Sequence, residues 1–302
     1  MTLVRLVQRN ILVYTRDRSN VFFSLLSMLI IIGLMAIFLG NLNVESIVDL
    51  LSEMGDRNIA VDRENAKNLV LLWTLAGIIV VNALTITLAM AGIMVEDEEK
   101  KRLHSFFVAP VKRSVLVLGY IIAAFIMGVI MCLFTLILGE GFVLLTGGTL
   151  LSLASLAEVL FFIILIVFMA SSLVFLITNF VHTTSAFAGL STIIGTLVGF
   201  LAAIYLPMGA LPATIQNSLK VFPLLHGCSL VREAFTKEMI KVTFAGCPEE
   251  MINGYKEYMG INIKWGETLI GDTGKIAFLI VSGIAFILIA AFIQKRRNTV
   301  SR

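Results

Sequence analysis

VEDEEKKRLHSFFVAPVKRS, residues 95–114, is the densest charge cluster in the chain and lies between two long hydrophobic runs. Four acids are followed by three bases, and a short apolar patch then ends at a proline. Of the 302 residues, 58% are hydrophobic and only 14% are charged, and the mean hydropathy is +0.97. A soluble domain of this length needs more charge to cover its surface, so the composition predicts a membrane protein.

The hydrophobic residues on either side of this cluster are gathered into membrane-spanning runs. About 20 apolar residues, at a rise of 1.5 Å each, cross a hydrocarbon core of roughly 30 Å. The predicted spans are Val21–Gly40, Leu69–Val95, Val115–Gly139, Ala157–Thr178, Thr184–Leu206 and Lys275–Ile293. The first run is too long for a cleavable signal sequence and no small-residue cleavage site follows it. The predicted fold is an all-α membrane domain of six transmembrane helices over residues 1–302.

Lysine and arginine residues outside the spans predict the orientation of the chain. Residues 1–20 carry four of them, residues 96–114 carry five, and the tail after Ile293 carries four, whereas residues 140–156 carry none. Both termini and the 96–114 segment are therefore predicted to be cytoplasmic. Residues 207–273 are predicted to lie outside.

Residues 1–20 predict an amphipathic helix ahead of the first span. At 100° per residue, one side carries Leu3, Val7, Ile11 and Tyr14, and the other carries Arg5, Arg9 and Arg16. Such a helix lies in the membrane interface with its arginines near anionic headgroups. The alternative is an ordinary basic flank that only follows the orientation rule.

Charged residues are absent from the middle of every predicted span. A central charge costs roughly 2.5–3.5 kcal/mol on the mildest scale, so proteins that tolerate one usually use it. Glu140 and Glu158 lie only at span ends, which leaves no obvious means of using a proton gradient. GDTGKI at 271–276 lacks the first glycine and the Ser/Thr of a phosphate loop, so it predicts a turn before the last span. The chain is therefore not predicted to be an enzyme.

Cysteines and histidines predict no metal site. Cys132, Cys228 and Cys247 form neither a disulfide framework nor a metal-ligand spacing, although Cys228 and Cys247 could pair in an oxidising compartment. His104 and His182 have no companions at metal-ligand spacing.

The apolar half of residues 95–114 predicts a short helix with one apolar face. Leu103, Phe106, Phe107 and Pro110 follow the i, i+3, i+4, i+7 spacing of a helix. Such a face must be buried, either on the bilayer, under the chain's own spans, or in a groove on a partner.

This stretch resembles the cytoplasmic loop of type-2 ABC-transporter permeases, the membrane-spanning subunits of bacterial ABC exporters. In that family an acidic run leads to a Gly-Thr-Leu-Glu-x-Leu-Leu-x-x-Pro-Val pattern, followed by Gly-Lys. The apolar, proline and glycine positions are occupied here by Leu103, Phe106, Phe107, Pro110, Val111 and Gly119. The departures from the pattern are Lys101 and Arg102 for Gly-Thr, and Tyr120 for the lysine. The resemblance implies a cytoplasmic coupling helix that docks on a separate ATPase subunit through Glu98, Glu99, Leu103, Phe106, Phe107 and Pro110.

A second resemblance to the same family lies downstream. YLPMGALP (205–212) has its Pro-x4-Pro spacing, and FPLLHGCSLVR (222–232) has its proline followed nine residues later by an arginine. The resemblance implies a re-entrant helical hairpin before the last span, with an extracytoplasmic gate formed by Pro207, Pro212, Pro223 and Arg232. Proline stops a helix, and irregular backbone at membrane depth is tolerated where protein or a water cavity covers it. The alternative is an ordinary proline-rich external loop.

Polar residues within the spans are candidates for lining a pathway. These are Asn82 and Thr85 in the second span and Ser191, Thr192 and Thr196 in the fifth. The alternative is that they bond to their own helix or to a neighbour. Gly195 and Gly199 form a GxxxG motif that allows close helix approach, either between two permease halves or within one bundle. Residues 41–68 and 234–273 match no pattern.

The resemblance implies the permease subunit of an ATP-driven exporter in the plasma membrane. Its expected partners are two copies of an ABC ATPase subunit, a second permease half that is identical or related, and the lipid membrane, with no nucleic acid. No cofactor is expected in this chain, and ATP and magnesium are expected in the ATPase. The alternatives are a gradient-driven carrier or channel, and a non-transporting membrane scaffold or sensor. The sequence selects no substrate.

Overall fold

The computed structural model describes residues 2–19, 21–22, 26, 29–30, 33, 40–55, 57–102 and 113–300, without the side chains of 40–42, 113–114 and 294–300. In that part of the chain the helices are α1 (Thr2–Arg16), α2 (Gly40–Ser52), α3 (Ile59–Glu99), α4 (Arg113–Leu145), α5 (Leu153–Thr178), α6 (Thr184–Leu201), α7 (Ala213–Leu219), α8 (Pro223–Thr243), α9 (Glu249–Tyr258) and α10 (Asp272–Val300). A 3-10 turn covers Met208–Ala210, and the short strands β1 (Lys264–Trp265) and β2 (Thr268–Leu269) form an antiparallel hairpin.

Five of the described helices are long and apolar enough to cross a membrane. They are α3, residues Val115–Leu145 of α4, α5, α6, and residues Asp272–Ile293 of α10. These helices match five of the six predicted spans and confirm an all-α, multi-pass membrane architecture. The remaining predicted span, Val21–Gly40, falls largely outside the described residues, so a total of six stays a prediction.

Helix α3 is much longer than the apolar run that predicted it. Its 41 residues extend about 60 Å, twice the thickness of a hydrocarbon core. The side-chain oxygen of Asn58 accepts hydrogen bonds from the N–H groups of Ala60 and Val61 at 3.1 and 3.4 Å and so starts the helix early. At the other end the helix continues through the acidic residues to Glu99. Hydropathy marks only the apolar middle of such a helix.

Helix α6 is shorter than predicted. It ends at Leu201 rather than Leu206, and Ala203 then adopts a left-handed backbone with φ of +50°. Residues 202–207 are therefore irregular, which matters for the site described below.

The core of the molecule forms around α3, which packs against α2, α4, α5, α6 and α8. Small residues allow the closest helix crossings, as is common in membrane proteins. A Cβ atom on Gly128 of α4 would lie 2.6 Å from Cγ1 of Val167 in α5. A Cβ atom on Gly227 of α8 would lie 2.7 Å from Cγ1 of Ile166 in the same helix α5.

Helix α1 is present as predicted, but its apolar face packs on protein. Its buried side chains are Leu6, Val7, Asn10 and Tyr14, and it lies against α4 and α3. Gly119 of α4 permits this approach, because a Cβ atom there would be 3.0 Å from Cβ of Leu6. The predicted placement of α1 in the membrane interface stays a prediction, but Arg9 is not left for lipid headgroups alone. Its guanidinium turns inward, because the carboxylate of Asp97 on α3 binds it.

The two segments that match no sequence pattern are joined to each other through Arg57. Its guanidinium makes two hydrogen bonds of 2.9 and 2.8 Å to Asp62, and that hydrogen bonding raises the pKa of Arg57. The same side chain donates to the carbonyls of Ala245 and Thr243, at 2.8 and 3.0 Å. The connection between α2 and α3 is therefore fixed to the end of α8. Cys228 and Cys247 are free thiols here.

The close crossing of α4 and α5 predicts a large difference between two glycines of α4. Gly128→Leu forces a side chain against Val167, and overpacking of this kind typically costs about 1–3 kcal/mol. Gly141→Leu is the matched control, since a Cβ atom there meets nothing within 4 Å. In detergent, thermal unfolding of the Gly128 variant should begin several degrees lower, and that of the Gly141 variant should change little. Equal effects would contradict the crossing.

Candidate functional site

The carboxylate of Asp97, near the end of α3, joins three helices. It accepts a hydrogen bond from Arg9 Nη2 on α1 at 2.9 Å and a second one from Arg9 Nη1. The hydroxyl of Tyr120 on α4 donates to it at 2.7 Å, and Arg102 Nη1 lies 3.3 Å away. Only 1% of the Asp97 side chain is exposed, so its charge is satisfied almost entirely by the chain itself.

Hydrogen bonding to Asp97 raises the pKa of Arg9, so its guanidinium stays charged in this half-buried position. Paired charges with two parallel N–H···O bonds are among the stronger hydrogen bonds in proteins. Tyr120 stands where the family pattern has lysine, and its hydroxyl is a member of this cluster. The Arg9–Asp97–Tyr120 cluster therefore fixes the N-terminal helix to the end of α3 just before residues 103–112.

The next two acids contact the connection between α5 and α6. Glu98 Oε1 lies 3.2 Å from Nδ1 of His182. Glu99 accepts hydrogen bonds from the backbone N–H of Thr184 at 3.1 Å and from its hydroxyl at 2.5 Å. A carboxylate at the start of α6 also interacts favourably with the partial positive charge at the N-terminus of that helix.

The predicted docking residues thus divide into two groups. Glu98 and Glu99 are largely exposed but already contact α6 and its preceding turn. The others, Leu103, Phe106, Phe107 and Pro110, lie outside the described residues, so the coupling helix stays a prediction.

The predicted gate prolines each precede or begin a helical segment. Pro207 precedes the 3-10 turn, Pro212 precedes α7, and Pro223 is the first residue of α8. Proline is favoured at a helix start because its missing N–H would have no partner there. Helices α7 and α8 are separated by residues 220–222, and α8 packs among α3, α5 and α10. The structure thus has two helices here, while their re-entrance into the membrane stays a prediction.

Arg232 of α8, the fourth predicted gate residue, is completely buried. Its Nη2 donates to the carbonyl of Ala203 at 2.7 Å, and its Nη1 donates to the carbonyl of Met259 at 3.3 Å. The guanidinium carbon lies 4.0 Å from the ring centre of Trp73 on α3, in cation–π geometry. Trp73 Nε1 donates to the same Met259 carbonyl at 2.8 Å.

The carbonyls around Arg232 explain how a cation is buried there, since none of the described carboxylates pairs with its guanidinium. Met259 caps the C-terminus of α9, and Ala203 follows the C-terminus of α6. Helix C-termini carry partial negative charge and leave carbonyls without intrahelical partners, so they favour a cation. Burial lowers the pKa of Arg232 and raises that of the nearby Tyr255. Arg232 Nε and the Tyr255 hydroxyl have no hydrogen-bond partner among the described residues.

Sequence reasoning found Arg232 but missed its surroundings. Trp73 is a signal that could have been used, since a buried indole N–H normally needs an acceptor. The two carbonyls carry no sequence signal, because any residue supplies one.

The predicted pathway residues make contacts within the helix bundle. Asn82 is buried and donates to the Thr135 hydroxyl of α4 at 2.8 Å, while the Thr85 hydroxyl lies 3.5 Å from the Asn82 carbonyl. Thr192 and Thr196 are exposed on α6 and donate to carbonyls four residues earlier, at 3.0 and 2.8 Å. The hydroxyl of Ser191 has no partner in the described part of the chain. A role for these residues in lining a pathway stays a prediction.

Two further sequence motifs have local roles. The 271–276 segment forms the start of α10, where Lys275 Nζ lies 3.0 Å from the Asp272 carboxylate. In the GxxxG motif, Gly199 accommodates the ring of Tyr205, whereas Gly195 has open space around it. Gly199, one of the two glycines of the motif, therefore allows close packing within the chain.

The buried position of Arg232 predicts how the chain responds to its removal. Arg232→Met keeps a similar volume but leaves the Ala203 carbonyl without its donor, which costs about 1–3 kcal/mol. Amide hydrogen exchange in residues 202–211 should rise by about tenfold, since 1.4 kcal/mol corresponds to that factor. Lys237→Met on the same helix is the control, because it removes only a partly exposed ion pair with Glu158. Unchanged exchange in the Arg232 variant would contradict this role.

A comparison with protein families places these features in a known group. A search of curated proteins finds no match. The family described as "ABC-2 family transporter protein" matches residues 61–292, which include α3 to α9 and most of α10. The match confirms the resemblance to type-2 ABC permeases, and permeases of this family are membrane transport subunits that generally work with an ATPase subunit. The chain belongs to the ABC-2 transporter family and is a membrane-embedded, multi-pass transport protein.

Proposed function

We propose that this chain is the permease subunit of an ATP-driven exporter that moves its substrate outward by alternating access. Two permease halves, identical or related, form the pathway, and two copies of a separate ATPase subunit bind ATP and magnesium beneath them. The complex lies in the plasma membrane with both termini of this chain in the cytoplasm. The observation that carries the proposal is the continuity of α3, which reaches from the Arg232 site to the Asp97 cluster next to the predicted docking segment.

The Asp97 cluster supports the docking role of residues 103–112. A partner that moved this segment would act on the end of α3, and α1 and α4 would follow because Arg9 and Tyr120 are bonded to Asp97. A helix whose backbone hydrogen bonds are all internal transmits such a movement along its length. The resulting shift at the Trp73 end would alter the contacts of Arg232 and Met259.

The Arg232 site supports a gate in the 202–212 segment. The irregular backbone of residues 202–212 depends on Arg232, which donates a hydrogen bond to the carbonyl of Ala203. Trp73 of α3 contacts the same arginine. A gate needs a segment with few regular hydrogen bonds and a contact that joins it to a moving helix. Residues 202–212 and Arg232 have both properties.

The docking role of the apolar patch predicts loss of the ATPase after a charge substitution. The Phe106→Asp/Phe107→Asp double variant should lose co-purification with a phosphate-loop ATPase subunit, because carboxylates do not enter an apolar groove without a partner charge. Phe106→Leu/Phe107→Leu keeps the apolar character and should retain the ATPase. The measurement is the ATP hydrolysis that accompanies the purified chain. An ATPase bound equally by both variants would overturn the docking assignment, and ion-gradient-driven transport by the chain alone would favour a carrier.

The Asp97 cluster predicts a separate defect in transmission. In Asp97→Asn the ATPase should stay bound, but hydrogen exchange in α1 should rise by about tenfold or more, since loss of a buried charge pair costs more than 1.4 kcal/mol. The ATP-dependent change in exchange along α3 should shrink.

The matched control for Asp97→Asn is Arg63→Gln, which removes an exposed ion pair with Glu45 near the other end of α3. This control should behave like the wild type. If Asp97→Asn keeps the full response of α3 to ATP, the cluster has no part in transmission.

A further inference from the structure

A groove of about 390 Å³ lies between α2 and α9. Each helix contributes residues at i, i+3, i+4 and i+7. From α2 these are Asn43, Ser46, Ile47 and Leu50, and from α9 they are Met251, Gly254, Tyr255 and Tyr258, followed by Met259. Two facing helical stripes therefore form the walls of one cavity.

The size and lining of the groove are those of a small-molecule site. Ligand pockets usually have volumes of about 300–1,000 Å³ and mainly apolar or aromatic walls with a few polar groups. The walls here are aliphatic, thioether and aromatic, and the polar lining groups are an amide, a hydroxyl and phenols. None of the described residues that line the groove carries a charge, so an ionic group of a ligand is expected at its edge.

The edge of the groove is acidic. Along α2 and α9 the charged residues are Glu45, Asp49, Glu249, Glu250 and Glu257 against the single base Lys256. Glu45 is paired with Arg63 and Glu257 with Lys264, which leaves Asp49, Glu249 and Glu250 as the acidic excess. Lys256 is paired with Glu233 at 2.9 Å, so its charge is already compensated. Asp49 precedes the lining residue Leu50, and Glu250 precedes Met251, so both exposed acids flank the opening. Such an excess of one sign attracts cations, and the tyrosine rings add a favourable surface for them.

We propose that the groove between α2 and α9 binds a lipophilic cation, with an apolar body between the helices and its positive charge at the acidic edge. The site goes beyond the proposed function, because binding requires neither ATP nor a partner subunit. A lipophilic cation matches both the apolar lining and the acidic edge. A neutral molecule would leave the acidic edge unused, and an anion would be repelled by it.

The groove is also in contact with the segment that follows α6. The ring of Tyr258 lies directly against Gly209, in the turn between Pro207 and Pro212. Met259 on the groove wall supplies the carbonyl that accepts from both Trp73 and Arg232. A ligand in the groove therefore touches two of the residues that hold the 202–212 segment.

The test measures binding of tetraphenylphosphonium to the full chain in lipid nanodiscs, with the signal of empty nanodiscs subtracted. The size-matched anion tetraphenylborate is the comparison. The cation should bind saturably, and the anion should bind at least about tenfold more weakly, with a difference that shrinks in high salt. Equal binding of the two ions would overturn the proposal.

Two leucine substitutions on α9 locate the binding. Gly254→Leu fills the groove without a clash, because a Cβ atom there meets nothing within 4 Å, and should weaken cation binding at least about tenfold. Asn253→Leu is the matched control, since Asn253 is exposed outside the groove, and it should bind like the wild type. Asp49→Asn combined with Glu250→Gln should weaken binding of the cation severalfold. Full binding by a Gly254 variant that unfolds at the wild-type temperature would overturn the site.

Discussion

The buried carboxylate of Asp97 determines how three helices meet at one end of the molecule. A charge with 1% of its side chain exposed cannot be satisfied by water, so every donor must come from the chain. Arg9 and Tyr120 supply those donors from α1 and α4. Helix α1 is amphipathic enough to lie on a membrane surface, yet the need to pair Asp97 holds it against the bundle. The acidic end of α3 is consequently a structural junction between three helices.

Arg232 shows the same constraint with the charges reversed. Two helices, α6 and α9, end beside it and leave carbonyls at Ala203 and Met259 that need donors. One guanidinium satisfies both, and Trp73 covers its face. Polar groups away from water are thus paired where helices end, since regular helices leave unpaired groups only there. The prolines at 207 and 212 keep this part of the backbone irregular and so create the requirement that Arg232 meets.

The sequence predicts the parts of this fold that have a local signal. Apolar runs predict five of the described spans, and the proline spacing predicts helix breaks near Pro207, Pro212 and Pro223, where the structure has the starts of helical segments. Polar extensions such as the first ten residues of α3 were missed, because hydropathy does not detect a helix that continues past the apolar region. The partners of Arg9 and Arg57 were also missed. Arg9 pairs with Asp97, which is far away in sequence, and Arg57 also donates to the backbone carbonyls of Thr243 and Ala245, so neither contact leaves a pattern along the chain.

Helix α3 connects the Arg232 site with the Asp97 cluster. Trp73 and Asp97 lie about 36 Å apart along the helix, which is comparable with the hydrocarbon thickness of roughly 30 Å. Between them α3 has no proline, its one charged residue is Glu96 next to Asp97, and its buried face is held by α4, α5 and α8. A helix of this kind moves as a rigid body more readily than it bends, since sharp kinks need proline, a π-bulge or an inserted group. In the proposed mechanism a displacement at Asp97 would reach Trp73, whose N–H shares the Met259 carbonyl with Arg232, and so the segment after α6.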